Sequence, residues 1–255
     1  MNNKGGQLKS TSTTNIAGIL GKQGKKVLIV DTDPQGNSSI IFGKNPDTFT
    51  NTIYDVIFNT VNIHEVVIQL DHNISIIPCN SDMDYFEIDV LMDRKKFPEP
   101  YFLLQGVLEG VADYYDYVLI DCSPAMGLMA MNVLSYADEV VIPFVPDSLA
   151  SRGIAKMYEK IEKFKISYNQ EVRIGAIFPV MVEIRTNLHK DIISNVTDFA
   201  NSKNINMIDI AIPKSIIFSS EIAYSGKPAV WSMPNEKPVK AYFELVEALK
   251  KLNVL

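Results

Sequence analysis

Cysteine is scarce in this sequence: Cys79 and Cys122 are the only two in 255 residues. Two thiols cannot staple a disulfide scaffold, and they fit a reducing compartment. Long apolar runs are missing too. The longest, at 27–30, 118–120 and 140–145, fall far short of the about 20 residues a membrane-spanning helix needs. No basic stretch leads into an apolar segment, so no secretory signal is read. Positive charge is not in excess: 24 Lys and Arg stand against 30 Asp and Glu, a net charge of −6. That excludes a uniformly basic nucleic-acid coat but leaves room for a local patch. His64, His72 and His189 have no metal-ligand spacing. There is no internal repeat, low-complexity tract or linker. With 47% hydrophobic and 21% charged residues, the composition is that of a globular protein. One cytosolic domain over residues 1–255 is the expectation.

Short β-branched runs at 27–30, 74–77, 117–120, 140–145, 172–178 and 208–212 read as strands. Most are continuous rather than alternating, the pattern of strands covered on both faces. Helical spacing lies between them. Ile16, Ile19 and Leu20 form one stripe; Ile154, Met157, Tyr158, Ile161 and Phe164 a second; Val239, Tyr242, Phe243, Val246 and Leu249 a third. Strands alternating with helices predict an α/β fold, a mostly parallel central sheet with helices on both faces. Residues 82–99 carry six acidic against three basic side chains and read as a solvated loop and helix.

Three segments carry chemistry. The first is Lys4-Gly5-Gly6-Gln7-Leu8-Lys9-Ser10-Thr11, which runs straight into a helical pattern. Glycines let backbone N–H groups approach an anion, and the helix N-terminus behind them adds free donors. A lysine followed by a hydroxyl suits a phosphate and its magnesium ion. The plain phosphate-loop pattern fails at two places, where Asn3 and Leu8 replace glycine. The second segment is an apolar strand ending in Asp31-Thr32-Asp33-Pro34-Gln35-Gly36-Asn37. Its carboxylates sit at the C-terminal strand edge, where α/β sheets hold ligands, and two apart they share one side of an extended strand. Crowded carboxylates call for a cation or a polarised water; a helix cap or an Asx-turn is the alternative. The third is a strand ending in Asp121-Cys122-Ser123-Pro124, whose acid suits a magnesium ion held through water.

Together these segments resemble the deviant Walker A ATPases of the ParA/Soj/MinD group, and the ParA/Soj partition ATPases in particular. The likeness runs over nearly the whole chain. KGGQLKST resembles the deviant Walker A loop, VLIVDTDPQGNSS the switch I segment and YDYVLIDCSPAMGLMAMNVL the Walker B strand and its sequel. ADEVVIPFVPDSLASRGI, EIRTN and IPKSIIFSSEIAYSGKP follow in the family's order. The resemblance implies a P-loop NTPase-like fold and a set of roles. Lys4, Gly5, Gly6, Gln7, Leu8, Lys9, Ser10 and Thr11 would bind ATP, with Lys9 on the β- and γ-phosphates and Lys4 reaching a partner's nucleotide. Ser10 would ligate Mg²⁺, with Asp31 and Asp121 holding its waters. Asp33 would orient the attacking water, so that Asp33, Lys4 and Lys9 form the catalytic set.

The resemblance further implies an ATP-dependent homodimer that binds DNA non-specifically, associates with the nucleoid, and is stimulated by a ParB-like centromere-binding partner. No stable membrane association is expected. Relatives often carry an arginine where this chain has Ile216, Ile217 and Phe218, which leaves Lys214 as the candidate DNA contact. Basic residues Arg152, Lys156, Lys160, Lys163 and Lys165 read as a solvated helix face. Cys122 reads as a structural thiol, not a cluster ligand. The stripe from Val239 reads as a docked helix rather than a membrane anchor. Two alternatives stand beside this reading: a MinD-like positioning ATPase on a membrane, and an ATP-gated binding module with little turnover, suggested by Leu8. Lastly, the family places an apolar strand directly before the phosphate loop, and only three residues precede Lys4 here. That N-terminal strand is missing from the sequence, so the natural protein is expected to start about 6–12 residues upstream.

Overall fold

The computed structural model describes residues 8–183 and 186–255. Among them, strands β1 (Val27–Asp31), β2 (Ile68–Asp71), β3 (Ile74–Ile77) and β4 (Tyr117–Asp121) form one sheet in the order β2-β3-β1-β4. Strands β5 (Glu139–Phe144), β6 (Arg173–Val182) and β7 (Ile212–Pro213) form a second. Every pairing is parallel except β2 with β3. The helices are α1 (Lys9–Lys22), α2 (Asn37–Ile41), α3 (Ile53–Ile57), α4 (Ile63–Val66), α5 (Phe86–Met92), α6 (Leu103–Leu108), α7 (Leu128–Tyr136), α8 (Ala150–Ser167), α9 (Asn187–Ser202), α10 (Ile217–Tyr224), α11 (Ala229–Ser232) and α12 (Lys237–Lys251).

The period of two along each strand separates the faces. Val27 and Ile29 of β1, Ile74 and Ile76 of β3, and Tyr117 and Leu119 of β4 pack with α1 and α12. Leu28, Val30, Ile77, Val118 and Ile120 pack on the other face, among side chains of α3 to α7. Helices thus cover both faces, which is why β1 reads as an unbroken apolar run. The core under α1 and α12 also takes in Ala176, Phe178 and Val180 of β6, so the two sheets share one interior.

Some expectations need correction. The strands at 117–120 and 140–145 are half-buried over most of their length rather than buried. Among the described residues β4 pairs only with β1, and β5 only with β6, so each leaves one edge without a neighbour. The strand at 172–178 runs on to Val182, while the one at 208–212 shrinks to Ile212–Pro213, with a lone bridge from Met207 to Ile177. The proline offers no amide to continue the ladder. Strand β2, a short antiparallel edge, was not foreseen. The stripe of α12 is docked: Val239, Tyr242, Val246 and Leu249 are buried, Phe243 is half-buried, and Leu245, outside the expected stripe, is buried too.

Several contacts with the C-terminal part of the chain anchor α1, among them two near its start. The Ser12 and Tyr242 hydroxyls share a buried hydrogen bond of 3.1 Å, and the Asn15 side chain accepts the Val230 amide at 3.1 Å. The Asn15 amide group in turn donates to the Thr11 carbonyl. A buried hydrogen bond left half-made costs about 1–3 kcal/mol, so these links fix the first turn of α1 against the core.

Candidate functional site

The C-terminal ends of β1 and β4 lie side by side, with Asp31 and Asp121 as register partners. Both carboxylates are fully buried. Ser38, on the first turn of α2, ties them together: its hydroxyl donates to Asp121 Oδ2 at 2.8 Å and its amide donates to Asp31 Oδ2 at 3.1 Å. Asp31 Oδ1 accepts the Asp33 amide at 3.1 Å. Burial holds the Asp31 carboxyl well above the usual carboxylate range, and the charge of Asp121 adds to this. Asp121 is also raised by burial, against the pull of the Ser10 and Ser38 hydroxyls and, more weakly, of Lys9. Asp121 Oδ1 has no hydrogen-bond partner among the described residues.

Lys9 and Ser10 are half-buried and Thr11 is buried on the first turn of α1. The hydrogen bond from Ser10 and the charge of Lys9 that act on Asp121 bring the helix start and the carboxylate pair into one site. Leu8, at the N-cap of α1, has φ 49° and ψ 29°. It therefore takes the left-handed conformation that a glycine would hold freely, and its half-buried side chain packs against the core under α1. Lys4, Gly5, Gly6 and Gln7 lie outside the described residues.

Asp33 is half-buried in the turn after β1, where Oδ1 accepts the Gln35 amide at 3.0 Å. The Asx-turn and the strand-edge carboxylate are thus both present. The sequence spacing predicts Asp31 and Asp33 on one side of a strand. In fact β1 ends at Asp31, and Asp33 has left the ladder. Gly36 completes the turn with φ 59°; a Cβ there would meet the Cys79 carbonyl oxygen at 2.9 Å. Cys122 keeps its proton, its thiol pushed up to about 11 by burial and then by the Asp121 charge. That agrees with a structural thiol.

Lys214 is not part of this cluster. It follows β7 in the second sheet and donates to Glu183 Oε1 at 2.7 Å; the lysine's hydrogen bond and charge pull the exposed Glu183 carboxyl below its usual range. Sequence reasoning passed over Ser38 and Asn15, and read Tyr242 only as part of an apolar stripe. Ser38 was legible as the first of two serines after the glycine turn; the other two are recognised only once α11 and α12 pack on α1.

An orphaned oxygen on a buried carboxylate, beside a second buried carboxylate, fits a bound cation. Among the described residues no three His, Cys, Asp or Glu side chains converge into a metal cage. A magnesium ion does not need one, since it is commonly held by one or two carboxylates together with waters and phosphate oxygens. No helix of the described residues is long and apolar enough to cross a membrane.

Residues 1–174 match a protein family described as an AAA domain. Over 264 aligned residues the chain is 30% identical to a ParA family protein of Mycoplasma genitalium, covering 99% of this chain and 96% of that one. It is 33% identical over 220 residues to the chromosome-partitioning ATPase Soj of Treponema pallidum, covering 86% and 83%. The crystal structure of a cobyrinic acid a,c-diamide synthase from Mycobacterium smegmatis, with a bound ATP analogue and magnesium, superposes with a TM-score of 0.81 at 25% identity. It covers 98% of this chain and 92% of that one.

Proposed function

The chain belongs to the ParA family of ATPases, and from that premise we propose that it is a magnesium-dependent ATPase that partitions a plasmid or chromosome. In this reading residues 1–255 act as one ATPase domain. ATP makes it dimerise, the dimer binds DNA without sequence preference, and a ParB-like partner stimulates hydrolysis. The observation that carries the reading is the buried pair Asp31 and Asp121, with its orphaned oxygen, beside the Lys9-Ser10 start of α1.

Each side chain then has a task. Lys9, Thr11 and the loop amides hold the phosphates, and Lys4 reaches the nucleotide of the second protomer. Ser10 would ligate magnesium, with Asp31 and Asp121 accepting from its waters. When bound, the ion neutralises charge on the phosphate oxygens. Asp33 is the more exposed carboxylate and orients the attacking water. Ser38 keeps Asp31 and Asp121 in place. The experiment is Asp33→Ala: ATP binding is expected to persist while phosphate release stops and ATP-bound dimer accumulates. Unchanged turnover would overturn the assignment.

One observation favours a second reading, an ATP-gated binding module with little turnover. The left-handed backbone at Leu8 costs a residue with a Cβ about 1–2 kcal/mol, close to the phosphates. Turnover measured with and without DNA separates the two.

A further inference from the structure

Helix α5 follows a 3₁₀ turn (Ser81–Tyr85), so residues 81–92 form one helical stretch. It buries Met83, Phe86 and Val90. The opposite side presents Tyr85 (62% exposed), Ile88 (57%), Leu91 (45%) and Met92 (80%) to solvent. Spacings of three and seven put Tyr85, Ile88 and Met92 on one face, with Leu91 beside them. Single exposed apolar side chains are ordinary, but four large ones in a row on one short helix mark a surface meant to be covered.

Charge is ordered along the same stretch. Exposed Asp82 and Asp84 stand at its start, and exposed Arg94 and Lys95 just past its end. The neighbouring charges are committed within the chain. Glu87 Oε2 accepts the Leu128 amide, Asp89 accepts the Tyr54 hydroxyl, Asp93 accepts the Lys96 amide, and the Lys96 ammonium donates to the Phe58 carbonyl. Asp82 accepts the Asn80 side-chain amide, at 3.2 Å, and keeps its charge at the surface, so the stretch has an acidic end, an apolar middle and a basic end. Such a strip is complementary to itself when turned end for end, the requirement of a two-fold contact between identical chains. A two-fold axis near the middle of the stripe sets the acidic end of one copy over the basic end of the other.

We infer that the exposed face of α5 is a contact with a second copy of this chain, packed antiparallel. Tyr85, Ile88, Leu91 and Met92 form its apolar seam, and Asp82 and Asp84 of one protomer pair with Arg94 and Lys95 of its partner. The inference rests on the ATP-dependent dimer proposed above and locates a part of that dimer outside the phosphate loop. The position suits the task. Asp84, Phe86 and Glu87 line a cavity of about 180 Å³ together with Thr32 and Pro34 of the turn after β1 and Cys122 of the loop after β4. Through Glu87, α5 also holds the first amide of α7.

Two charge-reversed chains test the contact: one with Asp82→Lys and Asp84→Lys, the other with Arg94→Glu and Lys95→Glu. All four positions are exposed, and thermal melting checks that both variants fold. With a slowly hydrolysed ATP analogue, each variant alone is expected to self-associate at least about tenfold more weakly than the unaltered chain in sedimentation. Mixed in equal amounts, they are expected to recover a heterodimer, because both charge contacts are then matched again. Ile88→Cys is expected to cross-link to its own copy through the new thiol. If the unaltered chain dimerises but the variants dimerise equally well, or the mixture does no better than its parts, α5 is not the contact and the ATP dimer stands without it. A protein of another kind as the occupant would give that second result. If the unaltered chain stays monomeric with the analogue, the dimer reading fails and takes this inference with it.

Discussion

Ser38→Ala removes one oxygen atom from the most buried part of the site. Its hydroxyl donates to Asp121 Oδ2 at 2.8 Å, and Oδ1 already lacks a partner among the described residues. Ser38 is fully buried, so water cannot take the place of the lost donor. A hydrogen bond to a charged group is worth about 1.5–3 kcal/mol. In a chain of this size each kcal/mol shifts the melting point by about 2–4 °C, which gives a drop of roughly 3–12 °C at neutral pH. The loss depends on pH in a definite direction. Burial already raises Asp121, and removing the Ser38 donor raises it further. A carboxyl raised in the folded state costs stability only where the unfolded carboxyl, near about 3.9, has ionised. The gap between the variant and the unaltered chain is therefore small near pH 4. It widens as pH rises through the raised folded value. Melting curves in magnesium-free buffer across pH 4 to pH 8 measure it. Equal melting points at neutral pH, or a gap that narrows as pH rises, would refute the argument.

Lys4→Ala is expected to bind nucleotide but remain monomeric with a slowly hydrolysed analogue; size-exclusion chromatography reads this, and an unaffected dimer counts against the trans role. Leu8→Gly removes about 1–2 kcal/mol of left-handed strain, loses a half-buried side chain and adds about 0.5–1 kcal/mol of glycine entropy. The melting point should therefore move little while phosphate release quickens; slower release would show that the leucine itself is needed. DNA binding is expected to require ATP and to fall log-linearly with salt, by about 0.9 per neutralised phosphate. Lys214→Glu should weaken it on every sequence alike, with the broken Glu183 pair contributing. Preference for one sequence, or equal binding with ADP, would argue against the partition reading.

The parallel core was legible because β1 and β3 write burial on both faces directly into their residues. The carboxylates at the strand ends were legible for a related reason: an acid closing an apolar run has few structural uses. Depth of burial was not. The run at 117–120 looks the same whether its outer edge is paired or open, since an apolar run records which side chains are oily and not which backbone groups find partners. The long-range ties Ser12–Tyr242 and Asn15–Val230 join residues more than 200 positions apart, and no local pattern announces them. The α5 stripe stayed hidden behind its acidic neighbours, because counting charge over 82–99 averages away the order in which the charges come.

The division of the described strands into two sheets bears on how the molecule holds together. Among the described residues no backbone ladder joins the sheet that carries Asp31 and Asp121 to the sheet that carries Lys214. Among the described residues, cohesion across that seam comes chiefly from the interior shared under α1 and α12. Ladders resist sliding because their hydrogen bonds are directional; packed methyl groups resist separation but tolerate small shifts along the surface. The sheet of Asp31 and Asp121 and the sheet that precedes Lys214 thus rest on a common cushion. The cushion includes α1, the same helix whose first turn carries Lys9 and Ser10. The helix that opens the candidate site is thus also part of the layer on which both sheets rest.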